Sequence, residues 1–195
     1  MMSNSPTRFE DRGARRSRPA LAKGYGVNLD DEGMLSLDWV REQLEKSRNY
    51  WISSTQSNGR PHACPVWGVW LDDDLLCFGT SRTSRKGKNL AANPSVVVHT
   101  ESGDDVVILE GIVVELTDRD LLRKYADTYD AKYAIRPEID QNADSDGVTY
   151  VLQPDDVLAW MEHDFLKTPT RWRFERGYPA IRMREPSDRL FVSGC

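Results

Sequence analysis

The segment at residues 75–94 reads LLCFGTSRTSRKGKNLAANP. Its apolar beginning is typical of a buried strand. The chain leaves this strand through Gly79 and Thr80, and a polar, basic turn follows. Ser84 is well placed to cap a helix of about two turns, since a serine oxygen at this position accepts a free backbone amide. Pro94 ends that helix, because proline disfavours the helical conformation of the residue before it.

This strand, hydroxyl-rich turn and helix start together predict a binding site for an anion. The first amides of a helix point outward without partners, and the helix dipole favours negative charge there. Arg85 can hold a phosphate through two parallel hydrogen bonds, and Lys86 adds a compact positive charge. The hydroxyls that could donate to the same anion belong to Thr80, Ser81 and Ser84. The alternative interpretation is a solvated basic turn, since charged runs usually lie on the surface.

The composition is that of a soluble globular protein with one domain. The 195 residues are 39% hydrophobic and 29% charged, and no apolar run is long enough to span a membrane. Three cysteines and three histidines show neither a disulfide framework nor metal-ligand spacing, so we expect no metal site. No export signal is visible, and the reducing cytoplasm is the expected compartment.

Positive charge is concentrated near the N-terminus. Residues 1–23 contain six of the 26 basic and two of the 31 acidic residues, which leaves a net charge of −9 on the rest of the chain. An acidic body argues against a nucleic-acid partner, which requires a basic face. Residues 1–33 lack periodicity and are rich in arginine, proline, glycine and serine. We therefore expect a mobile N-terminal tail whose first 23 residues are dispensable.

Hydrophobic periodicity predicts two main helices and about eight short strands. The helices are expected at residues 36–48 and from a cap at Thr117 to residue 133. The strands are expected at residues 49–56, 62–71, 75–78, 95–100, 105–116, 148–152, 157–161 and 170–174. Gly59 marks a tight hairpin turn, and Gly111 suits a bulge or a sharp bend. Successive hairpins without strand–helix alternation suggest a closed or partly closed antiparallel barrel.

The order of these motifs resembles the pyridoxamine 5'-phosphate oxidase-like family, the flavin and deazaflavin oxidoreductases with a split barrel. The resemblance covers about residues 36–175 and depends on YWISST at 50–55, NGRPH at 58–62, PVWGVW at 65–70, the segment 78–94 and TRWRF at 170–174. It implies a mainly β fold, a six-stranded antiparallel FMN-binding split barrel with flanking helices. The expected division of the chain is a mobile tail at 1–33, the barrel domain at 34–177 and a C-terminal extension at 178–195.

The resemblance also implies a homodimer that binds FMN or the deazaflavin coenzyme F420 in a groove between its subunits. The family's phosphate contacts would fall on Thr80, Ser84, Arg85 and Lys86, with Gly79 and Ser81 in the same turn. The cofactor ring would lie along the second strand, near His62, Cys64, Val66 and Trp67. Trp172 or Arg173 would reach the groove from the partner subunit.

Several residues near the expected ring position have a second interpretation. His62 is either a surface histidine or a hydrogen-bond donor to the ring edge. Trp67 and Trp70 are three residues apart and therefore lie on opposite faces of the strand. One of them is expected in the core or in a dimer interface, and the other beside the cofactor. Cys64 is expected to be a small buried residue, since no base that would activate it is evident.

The implied activity is the transfer of a hydride between the bound cofactor and a small organic substrate. No catalytic side chain is evident, which fits chemistry carried by a cofactor. True pyridoxamine phosphate oxidases carry an Arg-Leu-His type of motif near the C-terminus, where this chain has TRWRF. The vitamin B6 substrate is therefore not assigned. The alternative is a protein that binds a flavin or another phosphate ligand without turnover.

Overall fold

The computed structural model describes residues 8–139 and 145–175. Three α-helices lie in these ranges: α1 (Leu37–Lys46), α2 (Arg85–Ala92) and α3 (Arg119–Tyr133). The strands are β1 (Arg15–Ser17), β2 (Asn49–Thr55), β3 (Pro61–Leu71), β4 (Leu75–Ser81), β5 (Ser95–Thr100), β6 (Asp105–Glu115), β7 (Gly147–Met161) and β8 (Thr170–Arg173). Short 3-10 helices occupy Phe9–Arg12, Lys23–Tyr25 and Glu162–Asp164. None of the helices in the described ranges is long and apolar enough to cross a membrane.

The strands form one antiparallel sheet that closes on itself. Their order is β1-β8-β7-β4-β3-β2-β5-β6, and β6 also pairs with β7. The six strands from β7 to β6 therefore make a closed barrel, while β8 and β1 extend the sheet beyond it. This architecture confirms the predicted mainly β fold with a six-stranded antiparallel barrel and flanking helices.

Strand β7 is continuous where the sequence predicted two strands at 148–152 and 157–161. A proline followed by acidic residues usually interrupts a strand. Here they instead form a bulge against β6, where Gly111 pairs with Pro154 and Glu110 pairs with Asp156. A Cβ on Gly111 would lie 2.9 Å from the Gln153 carbonyl oxygen, so the bend has no room for a side chain. The bulge predicted at Gly111 is therefore confirmed.

Two apolar clusters stabilise the barrel and its main helix. The barrel interior is filled by fully buried side chains that include Tyr50, Ile52, Phe78, Leu109 and Leu152. A second cluster joins the outer face of β3 and β4 to α3 and includes Val69, Leu71, Leu75, Cys77, Leu122 and Tyr125. The cap of α3 is not Thr117 as predicted but Asp118, whose carboxylate accepts the amides of Asp120 and Leu121. A carboxylate at the N-cap also interacts favourably with the helix dipole.

The N-terminal segment contradicts the expected mobile tail over the residues that the structure describes. Phe9 is fully buried, and its ring stacks on Phe174 at a centroid distance of 4.5 Å. Its backbone amide donates to the carboxylate of Asp74 at 2.9 Å. Arg12 is buried nearby and donates to the Pro154 carbonyl oxygen at 2.6 Å. The segment packs against the barrel because the single ring of Phe9 fills a space in its core. One aromatic residue is too short a pattern to appear as periodicity in the sequence. The predicted C-terminal extension at 178–195 lies outside the described residues.

Lys132, near the end of α3, is half-buried against the barrel. Its ammonium donates to the Gly68 carbonyl oxygen at 3.0 Å and lies 4.7 Å from the centre of the Tyr50 ring. Burial lowers the pKa of Lys132 to about 8, against an opposing effect of Glu101, and the positive charge of Arg48 lowers it further. The lysine therefore fixes α3 to β3 but carries a charge that its surroundings disfavour.

We expect the free energy of unfolding to rise with pH above pH 8 and this rise to depend on Lys132. The folded protein releases the lysine proton near pH 8, whereas the unfolded chain holds it up to the ordinary pKa of 10.5. Stability increases wherever the unfolded state binds more protons. Urea unfolding between about pH 7.5 and 9.5 should show a gain of about 1–2 kcal/mol, reduced from the full shift by solvent screening.

Lys132→Met should abolish the gain, whereas Lys46→Met, on an exposed lysine, should retain it. An equal slope in the Lys132→Met variant would contradict the assignment.

Candidate functional site

The turn between β4 and α2 is held together by its own hydroxyl groups. The Ser84 hydroxyl caps α2: it accepts the Gly87 amide at 3.0 Å and donates to the Ser81 carbonyl oxygen at 2.7 Å. The Thr80 hydroxyl lies 3.2 Å from the Ser84 oxygen, which leaves Thr80 as the donor because the Ser84 proton is already used. The predicted cap at Ser84 is therefore confirmed. The hydroxyls of Thr80 and Ser84 are committed inside the turn and hold its shape.

Asp146, which lies in the described segment before β7, completes the turn. Its carboxylate accepts the Thr83 amide at 3.1 Å, and hydrogen bonds from Ser81 and then Thr83 lower the pKa of Asp146. An anion therefore cannot use the Thr83 amide while this contact exists. Sequence reasoning missed Asp146, because it approaches the turn from 63 residues away and no local pattern marks it.

The donors that remain lie in the first turn of α2. The amides of Arg85 and Lys86 have no hydrogen-bond partner among the described residues, as expected for the start of a helix. The Arg85 side chain is exposed and makes no ion pair within the described ranges. In contrast, Arg82 forms a two-pronged ion pair with Glu115 and is not available. Two amides and two cationic residues thus lie at one helix end.

Lys86 connects this helix end to strand β3. Its ammonium lies 5.6 Å from the centre of the Phe78 ring. Burial lowers the pKa of Lys86, and the nearby thiol of Cys64 has the opposite effect. Cys64 is half-buried, on the same face of β3 as His62 and Val66, because alternate residues of a strand share a face. The structure therefore places Cys64 close to Lys86.

His62 adds a polar atom without a partner to the same strand face. Its Nδ1 atom is buried and has no hydrogen-bond partner among the described residues. His62 pairs with Ser54 across β2 and β3, and the Ser54 hydroxyl accepts the side-chain amide of Asn89 in α2 at 3.0 Å. Buried polar atoms usually have partners, so this nitrogen is a candidate contact for a ligand. Val66, two positions beyond Cys64, is buried in the barrel core.

Two predicted residues face away from this site. The Trp67 side chain is 45% exposed on the opposite face of β3 and stacks on Tyr133 at 5.1 Å. Trp70, by contrast, is buried in the barrel core. A Cβ on Gly79 would lie 3.3 Å from the Tyr125 hydroxyl, so Gly79 lies against α3. Neither Trp67 nor a side chain at position 79 lies on the strand face that carries His62 and Cys64.

The two residues predicted to reach the groove from a partner subunit differ in accessibility. Trp172 is only 2% exposed, because its side chain fills the core of its own barrel. This burial contradicts the expected contact of Trp172 with a partner's cofactor. The Arg173 side chain is 67% exposed and lies 3.3 Å from Asp156. Arg173 lines a groove of about 610 Å³ at the ends of β2, β5 and β8.

Gly87 is the position where the turn and α2 approach each other most closely. A Cβ on Gly87 would lie 2.2 Å from the Ser81 carbonyl oxygen, which is a backbone atom and cannot move alone. We expect Gly87→Ala to cost about 1–3 kcal/mol of stability through overpacking and to displace the Ser84 cap. Gly103→Ala is the matched control, because no atom in the described part of the chain lies within 4 Å of its Cβ position. Thermal unfolding of both variants measures the difference, and equal midpoints would show that the turn is not packed as described.

Comparison with known proteins places this geometry in a family. The sequence model of the pyridoxamine 5'-phosphate oxidase family matches residues 37–161. No curated protein matches the chain. A conserved hypothetical protein from Mycobacterium tuberculosis has a TM-score of 0.56 at 20% identity, over 68% of this chain and 88% of its own.

Two further solved structures have the same fold at low identity. A protein from Listeria innocua named for pyridoxamine 5'-phosphate oxidase has a TM-score of 0.50 at 16% identity, over 63% of this chain and 95% of its own. A protein from Bacteroides thetaiotaomicron named for resistance to 5-nitroimidazole antibiotics has a TM-score of 0.50 at 12% identity, over 83% and 89% of the two chains. Since the family model spans the whole barrel from α1 to the end of β7, the chain belongs to the pyridoxamine 5'-phosphate oxidase family.

Proposed function

We propose that the chain is an oxidoreductase that moves a hydride between a bound flavin-type cofactor, FMN or coenzyme F420, and a small organic substrate. The observation that carries this proposal is a helix end with two amides and two cations, beside a strand face with a buried histidine nitrogen. Neither the amides nor this nitrogen has a hydrogen-bond partner among the described residues. Helix starts of this kind favour phosphate groups. Family membership supports a flavin-type ligand for the site.

The residues present fit the phosphate of such a cofactor. The guanidinium of Arg85 and the amides of Arg85 and Lys86 can donate to phosphate oxygens, and the Lys86 ammonium adds charge. The hydroxyls of Thr80 and Ser84 act indirectly, because they fix the turn from which these groups point. Desolvation of the Lys86 ammonium supports the same assignment, since a bound anion would offset the lost hydration.

The strand residues would bind and orient the rest of the cofactor. His62 can offer its buried Nδ1, and Cys64 lies between His62 and Val66 on the face that continues from Lys86. The cofactor supplies the hydride chemistry when it is bound. No described side chain is assigned as a proton donor, and water is proposed as the proton source. The substrate is a small organic molecule, without an assignment to vitamin B6.

An absorption spectrum of the purified protein, followed by mass spectrometry of the released ligand, tests cofactor binding and separates FMN from F420. Reduction of the loaded protein by a nicotinamide donor, followed by transfer to an acceptor, tests turnover. We expect a bound chromophore and its oxidation by an acceptor. A protein that binds the chromophore but never exchanges a hydride is instead a carrier or sensor, and a protein that binds neither cofactor contradicts the proposal.

We also propose that the chain forms a homodimer with the cofactor groove at the interface. The outer face of β2 and β3 carries two exposed aromatic side chains, Trp51 and Trp67. Pro65, on the same face, lies opposite Trp51 in the β2–β3 register. Twofold pairing is the commonest way to cover such a face. Light scattering at micromolar concentration should give about twice the chain mass of 22.3 kDa. A stable monomer that still binds the cofactor would contradict the shared groove.

A further inference from the structure

The groove of about 610 Å³ lies apart from the first turn of α2. It opens where the ends of β2, β5 and β8 meet the bulged middle of β6 and β7. This volume is in the range of small-molecule binding sites. Its polar wall contains Ser53, Thr55, Ser95, Glu110, Asp156 and Arg173.

The acidic side of the groove can accept a further positive hydrogen-bond donor. Glu110 and Asp156 lie directly opposite each other in the β6–β7 register, an arrangement that is unfavourable for like charges. Arg171 and Arg173 both contact the same Asp156 oxygen, Oδ2, at 2.8 and 3.3 Å. The other oxygen, Oδ1, is buried and has no partner among the described residues. Arg171 and Arg173 already offset the charge of this pair, so a ligand ammonium would serve as the partner that Oδ1 lacks.

Arg173 forms the basic side of the groove, and its side chain can leave its present partner, Asp156. Arg173 is mostly exposed, and its contact with Asp156 is at the long end of hydrogen-bond distances. Arg171 would continue to neutralise Asp156 if Arg173 turned towards a ligand anion, because its contact is shorter. Arg173 would then offer a planar fork of donors, which matches a carboxylate. Its movement would also uncover the acidic pair.

The third component is an apolar wall beside these charges. It consists of Pro61, Val96, Val97, Ile112 and Phe174. Ligand sites typically combine such a wall with a few polar groups that fix orientation. Because Arg173 and Asp156 are in contact, a matching ligand carries its own opposite charges close together. A zwitterion with an apolar side chain has these three features.

We propose that this groove binds a free α-amino acid with an apolar side chain. Its ammonium lies against Glu110 and Asp156, its carboxylate against Arg173, and its side chain against the apolar wall. A peptide N-terminus shares the ammonium but lacks the adjacent carboxylate, so it is a poorer match. The proposal concerns residues of the groove alone and does not require the cofactor.

Calorimetric titration of the full chain with L-leucine, leucinamide and 4-methylpentanoate tests this inference. The three probes share the same apolar side chain. Leucine carries both charges, leucinamide only the positive charge, and 4-methylpentanoate only the negative charge. Leucine should bind saturably, and the other two should bind at least about tenfold more weakly. Arg173→Gln should weaken leucine binding by about tenfold or more, and Arg173→Lys should restore part of it. Arg123→Gln, which removes an exposed ion pair elsewhere, should change nothing.

Each contrary result overturns the proposal in a defined way. No saturable heat with leucine up to about 20 mM would show that the groove is not an amino-acid site. Equal binding of leucine and leucinamide would show that the groove recognises only the ammonium group, which a peptide N-terminus also carries. If Arg173→Gln binds leucine as tightly as the parent, Arg173 does not contact the ligand carboxylate, and the proposed binding mode is wrong. Arg173 is exposed, so this variant is expected to fold, and circular dichroism checks that it does.

Discussion

Phe9→Ala should remove about 3–5 kcal/mol from the free energy of unfolding, the cost of deleting a buried phenyl ring. The ring of Phe9 is inaccessible to solvent, stacks on Phe174 and lies 5.9 Å from the ring of Trp70. The cost is mainly that of an apolar cavity in the barrel core, and the guanidinium of Arg41, 5.6 Å from the ring centre, also loses its contact with the ring. Urea unfolding followed by tryptophan fluorescence measures the change, since Trp70 borders the cavity.

The matched control is Leu29→Ala, in the same N-terminal third of the chain. Leu29 is 93% exposed, so its truncation should change stability by no more than about 0.5 kcal/mol. Removal of residues 1–13 should cost at least as much as Phe9→Ala, because it also removes the buried contacts of Arg12. A truncated protein as stable as the parent would restore the interpretation of this segment as a dispensable tail.

Replacement of both Arg85 and Lys86 by alanine should weaken cofactor binding by roughly two to four orders of magnitude. Each side chain would lose a hydrogen bond to a charged group, which is worth roughly 1.5–3 kcal/mol. The two free amides remain in the variant and keep part of the affinity. The fold should survive, since the Thr80, Ser81 and Ser84 hydroxyls that hold the turn are unaffected.

Lys88→Ala is the control for charge alone. Lys88 is exposed in the same helix, and its amide already donates to the Ser84 carbonyl oxygen, so its loss should weaken binding by less than about tenfold. Circular dichroism of each variant confirms folding, and titration with FMN and with coenzyme F420 measures affinity. A folded double variant that binds as tightly as the parent would show that the turn is a solvated surface.

Local signals in the sequence identified the turn and most of the barrel strands. The strand at 95–100 matches β5 because alternating β-branched residues bury one face. The Ser84 cap and the proline at position 94 fix both ends of α2 within a few residues. The same cap determines where α2 begins, so the predicted phosphate donors Arg85 and Lys86 lie at the helix start. Such features depend only on neighbours in the chain, so the sequence shows them directly.

Contacts between distant segments explain what the sequence did not show. Phe9 stacks on a ring 165 positions later, and Asp146 reaches the turn across 63 residues. The bulge at Pro154 is visible only once β7 pairs with Gly111 of β6. The burial of Trp172 likewise depends on β8 closing against β7, so its strand position alone could not separate core from groove.

We propose that the first turn of α2 holds the phosphate of a flavin-type cofactor, and one titration tests this claim most directly. The parent protein is titrated with FMN and with riboflavin, which differ only by the phosphate, and in parallel with F420 and its phosphate-free deazaflavin core. For the cofactor that binds, the form with phosphate should bind at least about 100-fold more tightly. The Arg85→Ala, Lys86→Ala double variant should lose most of that difference. Equal affinity of the parent for both forms would contradict the claim.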